Sequence, residues 1–183
     1  MAREERFLYW VVGLTLAGCA AAGTLVQGGL ETLRGLWILQ SHPARLLNDF
    51  TVAGGEGAAV VNAVLVAAIG LVLVRINGIK LSGPTIAAVF TMMGFGLFGK
   101  TPVNAVPIMA GVYIAARIAG KRFAEYILIA LFGTALGPLV SLVAVELGLA
   151  GWIGMAAGVA AGVAAGVLLP AVSVVMLRMH QGY

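Results

Sequence analysis

LSGPTIAAVFTMMGFGLFGKTPVNAVPIMAGVYIAA, residues 81–116, is 36 residues of apolar chain broken by one charge, Lys100. Ser82 is placed to cap a helix that Pro84 opens within its first turn. Gly94, Gly96 and Gly99 then disfavour its continuation. The expectation is a helix of about three turns that unwinds before it could cross a bilayer about 30 Å thick. After Lys100, Pro102 and Pro107 punctuate the next apolar run, and Pro107 is expected to kink it. Backbone freed at membrane depth must be buried in protein or line a wet cavity.

The same character extends outward. There are six uncharged stretches: Phe7–Val26, Gly57–Val74, Leu81–Gly99, Thr101–Ala116, Tyr126–Val145 and Leu147–Leu177. With their flanks they predict apolar segments at 7–26, 57–74, 81–99 (short or re-entrant), 101–118, 125–146 and 150–177. The 183 residues are 61% hydrophobic and 10% charged, with 26 glycines. Soluble domains carry about 25% charged residues. The composition excludes a soluble enzyme, a disordered tail and a nucleic-acid binder. Its net charge of +4 comes from residues lying between the apolar stretches. The fold class is all-α: a single polytopic membrane domain over 1–183, with five or six crossings and one or two discontinuous or re-entrant helices. Arg3 and Arg6 before the first stretch imitate a signal peptide, but its length and the later spans favour an uncleaved helix.

Positive charge favours the cytoplasmic side. With six passages and the N-terminus inside, that side holds Arg3, Arg6, Arg75, Lys80, Arg117, Lys121, Arg122 and Arg178, against Arg34, Arg45 and Lys100 outside. If 81–99 alone enters and returns, five positive residues face six. Charge therefore favours an even number of passages and a cytoplasmic N-terminus.

Residues 27–56 form the one long polar connection. Leu30, Leu33 and Trp37 share a helical face, as in an interfacial helix with an aromatic anchor. Ser41-His42-Pro43 reads as a break, Asn48-Asp49 as a cap, and Gly54, Gly55 and Gly57 as a second place where a helix starts partway into the membrane. In the last stretch Gly154, Gly158, Gly162 and Gly166 form a GxxxG ladder, suited to packing within one subunit or to a subunit interface.

Chemistry is sparse. Cys19 is the only cysteine, and no C-x-x-C, H-E-x-x-H, G-x-S-x-G or Walker A motif occurs. No metal, cofactor or convergent acid–base set is expected, and so no enzyme. No intramembrane carboxylate relay is visible. Glu125 and Glu146 read as interface-level residues. The candidate solute pathway is Thr85, Thr91, Gly94, Gly96, Lys100, Thr101 and Asn104 around the broken segment, with Asn62, Glu56 and Asp49 from the second break. Half-helix ends and hydroxyls of this kind suit a small neutral polar solute, or an ion held by carbonyls. Each Thr also has a plain alternative, bonding its own backbone.

The run quoted above, extended through Arg117-Ile118-Ala119-Gly120 and followed by YILIALFGTALGPLVS, resembles a bacterial membrane family of unknown function, numbered fifteen seventy-six. SHPARLLNDFTVAGGEGAAVVNA, residues 41–63, resembles it too. The resemblance implies members about twice this length and internally duplicated, with this chain as an N-terminal half. The tail Met179–Tyr183 resembles the point where the second half begins. A half cannot enclose a two-repeat pore, so a homodimer or a second half-length chain is the implied partner, besides the lipid bilayer. More distantly, Lys100-Thr101-Pro102-Val103-Asn104 with Gly111 is similar to a pore segment of urea transporters. Here Asn follows Pro rather than preceding it, so a substrate does not carry over. Inverted repeats would also imply an odd number of crossings per half, against the charge count. Three functions stay open: a channel or facilitator, an ion-coupled transporter, and a structural subunit without transport.

Overall fold

The computed structural model describes residues 3–41, 48–146 and 151–180. The break at 42–43 and residues 181–183 of the tail lie outside them. All regular structure among the described residues is helical: α1 (Arg3–Gln27), α2 (Gly29–Ser41), α3 (Phe50–Gly54), α4 (Glu56–Ile76), α5 (Gly83–Phe95), α6 (Pro102–Ile118), α7 (Ile127–Gly133), α8 (Gly137–Glu146) and α9 (Gly151–His180). Short 3₁₀ turns, Phe123–Tyr126 and Thr134–Leu136, precede and follow α7. Four helical segments are long and apolar enough to cross a membrane: Arg3–Gln27, Glu56–Ile76, Phe123–Val145 and Gly151–Val175. α5 and α6, at 13 and 17 residues, are shorter. At about 1.5 Å per residue, α5 reaches only about 20 Å.

The capping residues explain these boundaries. At the start of α5 the Ser82 amide donates to Thr85 Oγ1 at 2.7 Å. Thr101 and Asn104 satisfy each other's backbone at the start of α6, where Pro102 occupies the first turn. α6 runs on through Pro107 to Ile118.

Side-chain contacts fix the directions. Gly23 meets Gly57 and Val60, while Tyr9 reaches Ile79, so α1 and α4 are antiparallel. Gly70 faces Met92 and Gly96 faces Ala63, so α5 returns along α4. Leu81 packs with Val74 and Ile127. Tyr113 stacks edge-on against Phe123 at 5.5 Å, and Phe123 borders the core clusters of both Val74 and Val112. The start of α5 and the end of α6 therefore lie at one end of the bundle, with the start of α1. Their connecting turn, 96–101, lies deep inside. α7 and α8 run antiparallel to α6, pairing Gly133 with Ile108 and Gly137 with Asn104. α9 lies parallel to α6, with Gly162 against Pro107 and Gly166 against Gly111.

The ladder glycines Gly154, Gly158, Gly162 and Gly166 are all buried within the chain. A β-carbon at Gly158 would collide with the Val140 carbonyl, and one at Gly166 with the Ile108 carbonyl. α2 buries Thr32, Gly35 and Leu39, and leaves Leu30, Leu33 and Trp37 outward.

Candidate functional site

The turn between α5 and α6 is polar, and no part of it lies outside the bundle core except Leu97 and Phe98, which are half-buried and exposed. Glycines at 96 and 99 disfavour continuation of the helix, and Gly99 adopts φ +94°, a conformation that favours glycine. Unwinding leaves carbonyls that must find donors, and two asparagines supply them. Asn62, fully buried on α4, donates from Nδ2 to Gly96 O at 2.7 Å and Lys100 O at 2.8 Å. Asn104 donates to Gly99 O at 2.8 Å and to Ser141 Oγ at 3.1 Å, while its Oδ1 accepts from the Thr101 amide at 2.9 Å. From the far end α2 and α3 close over the turn. Gln40 Nε2 donates to Asn62 Oδ1 at 2.9 Å, and the Phe50 amide donates to Leu97 O at 3.1 Å.

Lys100 is 0% exposed. Its Nζ donates to Thr134 Oγ1 at 2.8 Å and sits 4.9 Å from the Phe95 ring centroid, within cation–π range. The Thr134 hydroxyl in turn donates a hydrogen bond to Leu131 O. The ion pairs among the described residues, Arg34–Glu31, Lys121–Glu125 and Arg122–Glu125, are on the surface, and Lys100 belongs to none of them. An ionisable side chain at this depth is expensive and marks a functional candidate.

Five candidate residues thus converge: Asn62, Gly96, Lys100, Thr101 and Asn104. The others do not. Thr85 is buried at the opposite end of α5, occupied by its cap. Thr91 is half-buried and Gly94 exposed. Asp49 caps α3, and the Thr51 hydroxyl and amide donating to its carboxylate hold it below the ordinary carboxylate range. Glu56 is exposed at the start of α4. Thr134, Ser141 and Gln40 complete the site without having been placed on the candidate pathway. Thr134 had a weak signal, the glycines flanking it in FGTALG, which interrupt α7. Gln40 had none.

The second break has its own clasp. Gly55, at φ +91°, separates α3 from α4. Gln27 bridges it, donating to Gly54 O at 2.9 Å and accepting from the Ala58 amide at 2.9 Å. Among the described residues no cluster of three or more metal-ligating side chains occurs.

An apolar bundle with several membrane-length helices and a buried polar junction defines a multi-pass membrane protein. The chain belongs to the family described as protein of unknown function (DUF1576), whose model matches residues 29–183, from the start of α2 onward. No curated protein and no solved structure matches. Neither comparison shows a likeness to urea transporters.

Proposed function

We propose that the protein is a membrane channel or facilitator subunit for a small polar solute or ion, with the 96–101 turn at its centre. In this reading α5 and α6 enter and leave from the same face of the membrane as a re-entrant pair. The flanking segments then restore an even number of passages, with Arg75, Lys80, Arg117, Lys121 and Arg122 together on the cytoplasmic side. The observation that carries the reading is the convergence of Lys100, Asn62, Asn104 and Thr134 at depth in a bundle otherwise free of buried charge among its described residues. Deep backbone carbonyls held by amide side chains can exchange those donors for a solute. A homodimer or a second half-length chain would complete the path.

A structural subunit without transport is the second reading. It is favoured by the saturation of the asparagine amides, each Nδ2 of which already serves two acceptors. Ion coupling through Asp49 or Glu56 has less behind it, since both are exposed.

Reconstitution into proteoliposomes separates the first two readings. Passive flux of one solute among urea, ammonium, small acids and alkali cations is expected. Asn104→Leu should lower it about tenfold, the scale of one lost hydrogen bond to a desolvated partner. Flux equal to empty vesicles for every solute, with folded protein present, would favour the structural subunit.

A further inference from the structure

Two side chains lie against the Lys100 amine, and they differ in one respect. Thr134, which accepts from Nζ at 2.8 Å, is itself fully buried. Phe95, whose ring centroid lies 4.9 Å from Nζ, is 39% exposed. Its side chain therefore reaches from the buried amine to the outer surface of the bundle.

The chemistry around the amine makes Phe95 the easiest part to move. Thr134 is tied to Leu131 O, and Asn62 and Asn104 are tied to the carbonyls of the turn. Opening the site through any of these breaks buried hydrogen bonds, whereas turning the Phe95 ring breaks none. The local chain permits that turn. Phe95 is the last residue of α5 and stands between Gly94 and Gly96. Gly94 is exposed, and a β-carbon added to it would meet nothing within 4 Å, so the surface next to Phe95 is open. The Phe95 backbone is held in place meanwhile, its carbonyl accepting from the Phe98 amide at 3.0 Å and the Lys100 amide at 3.2 Å. A fixed backbone with an uncrowded, part-exposed side chain leaves a rotamer change as the available motion.

We propose that Phe95 is a movable gate over Lys100. With the ring in place the amine is sealed. With the ring turned outward, Nζ opens to the face of the bundle that carries Gly94 and Phe95. As the gate of a solute path this rests on the channel reading above; as a movable cover of Lys100 it is tested without flux.

Acetylation of the three lysines reads the gate directly. The full chain in mixed micelles is pulsed with acetic anhydride, small and uncharged, at rising fractions of denaturing detergent. The Lys100 rate is taken relative to Lys80 and Lys121, which are exposed. A gate opens locally, so in the unaltered protein Lys100 should react slowly, at a rate that stays flat until global unfolding sets in. Phe95→Ala should raise that rate by at least about tenfold, the scale of one ring–ammonium contact at a desolvated site. Phe98→Ala, which removes the exposed ring of the 96–101 turn itself, should leave it unchanged. The proposal is overturned if Lys100 of the unaltered protein reacts only in step with global unfolding. It is overturned equally if Phe95→Ala leaves Lys100 as protected as before, or if Phe98→Ala exposes it as much. The first measurement needs no variant, so it decides even where Phe95→Ala fails to fold. Absence of flux in proteoliposomes, with local opening at Lys100, would count against the channel reading alone.

Discussion

Asn62 does the most for the interior of any single residue. It satisfies two carbonyls of the turn and accepts from Gln40. Asn62→Leu keeps the volume and strands three polar groups. Unfolding in mixed micelles should show a loss of about 3 kcal/mol or more, since each buried unsatisfied group costs about 1–3 kcal/mol. A loss near zero would mean that water already reaches these carbonyls. Thr134→Val removes the acceptor of Lys100 at constant shape, whereas Thr134→Ser keeps it. Valine should therefore cost about 2 kcal/mol and serine well under 1 kcal/mol. Burial also makes a chemical prediction. Of the three lysines, Lys80 and Lys121 are exposed and Lys100 is not. Amine acylation of the folded protein, read by mass spectrometry, should modify Lys80 and Lys121 and spare Lys100. Equal modification would place Lys100 in contact with bulk water. The sequence showed Lys100 and both asparagines as polar points in an apolar run, but not their partners. Those lie 34 to 38 residues away and depend on which helices are neighbours.

At the scale of elements, close glycine contacts set how the helices meet. Gly111 of α6 and Gly166 of α9 face each other, and a β-carbon at Gly111 would lie 2.8 Å from the Gly166 Cα and collide with the Val163 carbonyl. Backbone on both sides cannot yield as a side chain could. Gly111→Val should force α6 from α9 and destabilise the fold by more than about 3 kcal/mol. Gly13 and Gly18 of α1 have nothing within reach of an added β-carbon. Alanine there should change stability by less than about 1 kcal/mol, and upward, because it favours helix over glycine. Comparable losses at Gly13 and Gly111 would show that helix propensity rather than helix contact governs both. The GxxxG spacing was legible, but its partner was not. The ladder serves α6 and α8 of its own chain, a choice that spacing alone leaves open between a neighbouring helix and a second subunit. Pro107 lies inside α6, packed against Gly162 of α9.

For the whole molecule the decisive property is sidedness. The start of α1, the 77–82 link and the 119–122 link share one end of the bundle, while α2 and α3 cover the other. Single cysteines at Lys80, Lys121 and Arg34, in a Cys19→Ala background, test this with a membrane-impermeant maleimide. Lys80→Cys and Lys121→Cys should label from the same side and Arg34→Cys from the opposite one. Labelling of positions 80 and 121 from opposite sides would remove the re-entrant pair. The positive-charge count had pointed to an even number of passages, and the look of 81–99 to a re-entrant segment. The two conflict only while 81–99 is asked to enter and return by itself. In the proposed arrangement, with α5 going in and α6 coming out, both would hold together.

Composition, hydropathy and the Pro and Gly positions by themselves determined that this is a helical membrane chain with its main break near residues 94–101. Those are local properties of the chain: transfer of side chains to lipid, and backbone preference residue by residue. Tertiary structure alone decided that Asn62, Asn104, Thr134 and Gln40 meet at that break and that the glycine ladder turns inward. Each of these depends on helix direction and rotation, which are set by contacts between segments far apart in sequence.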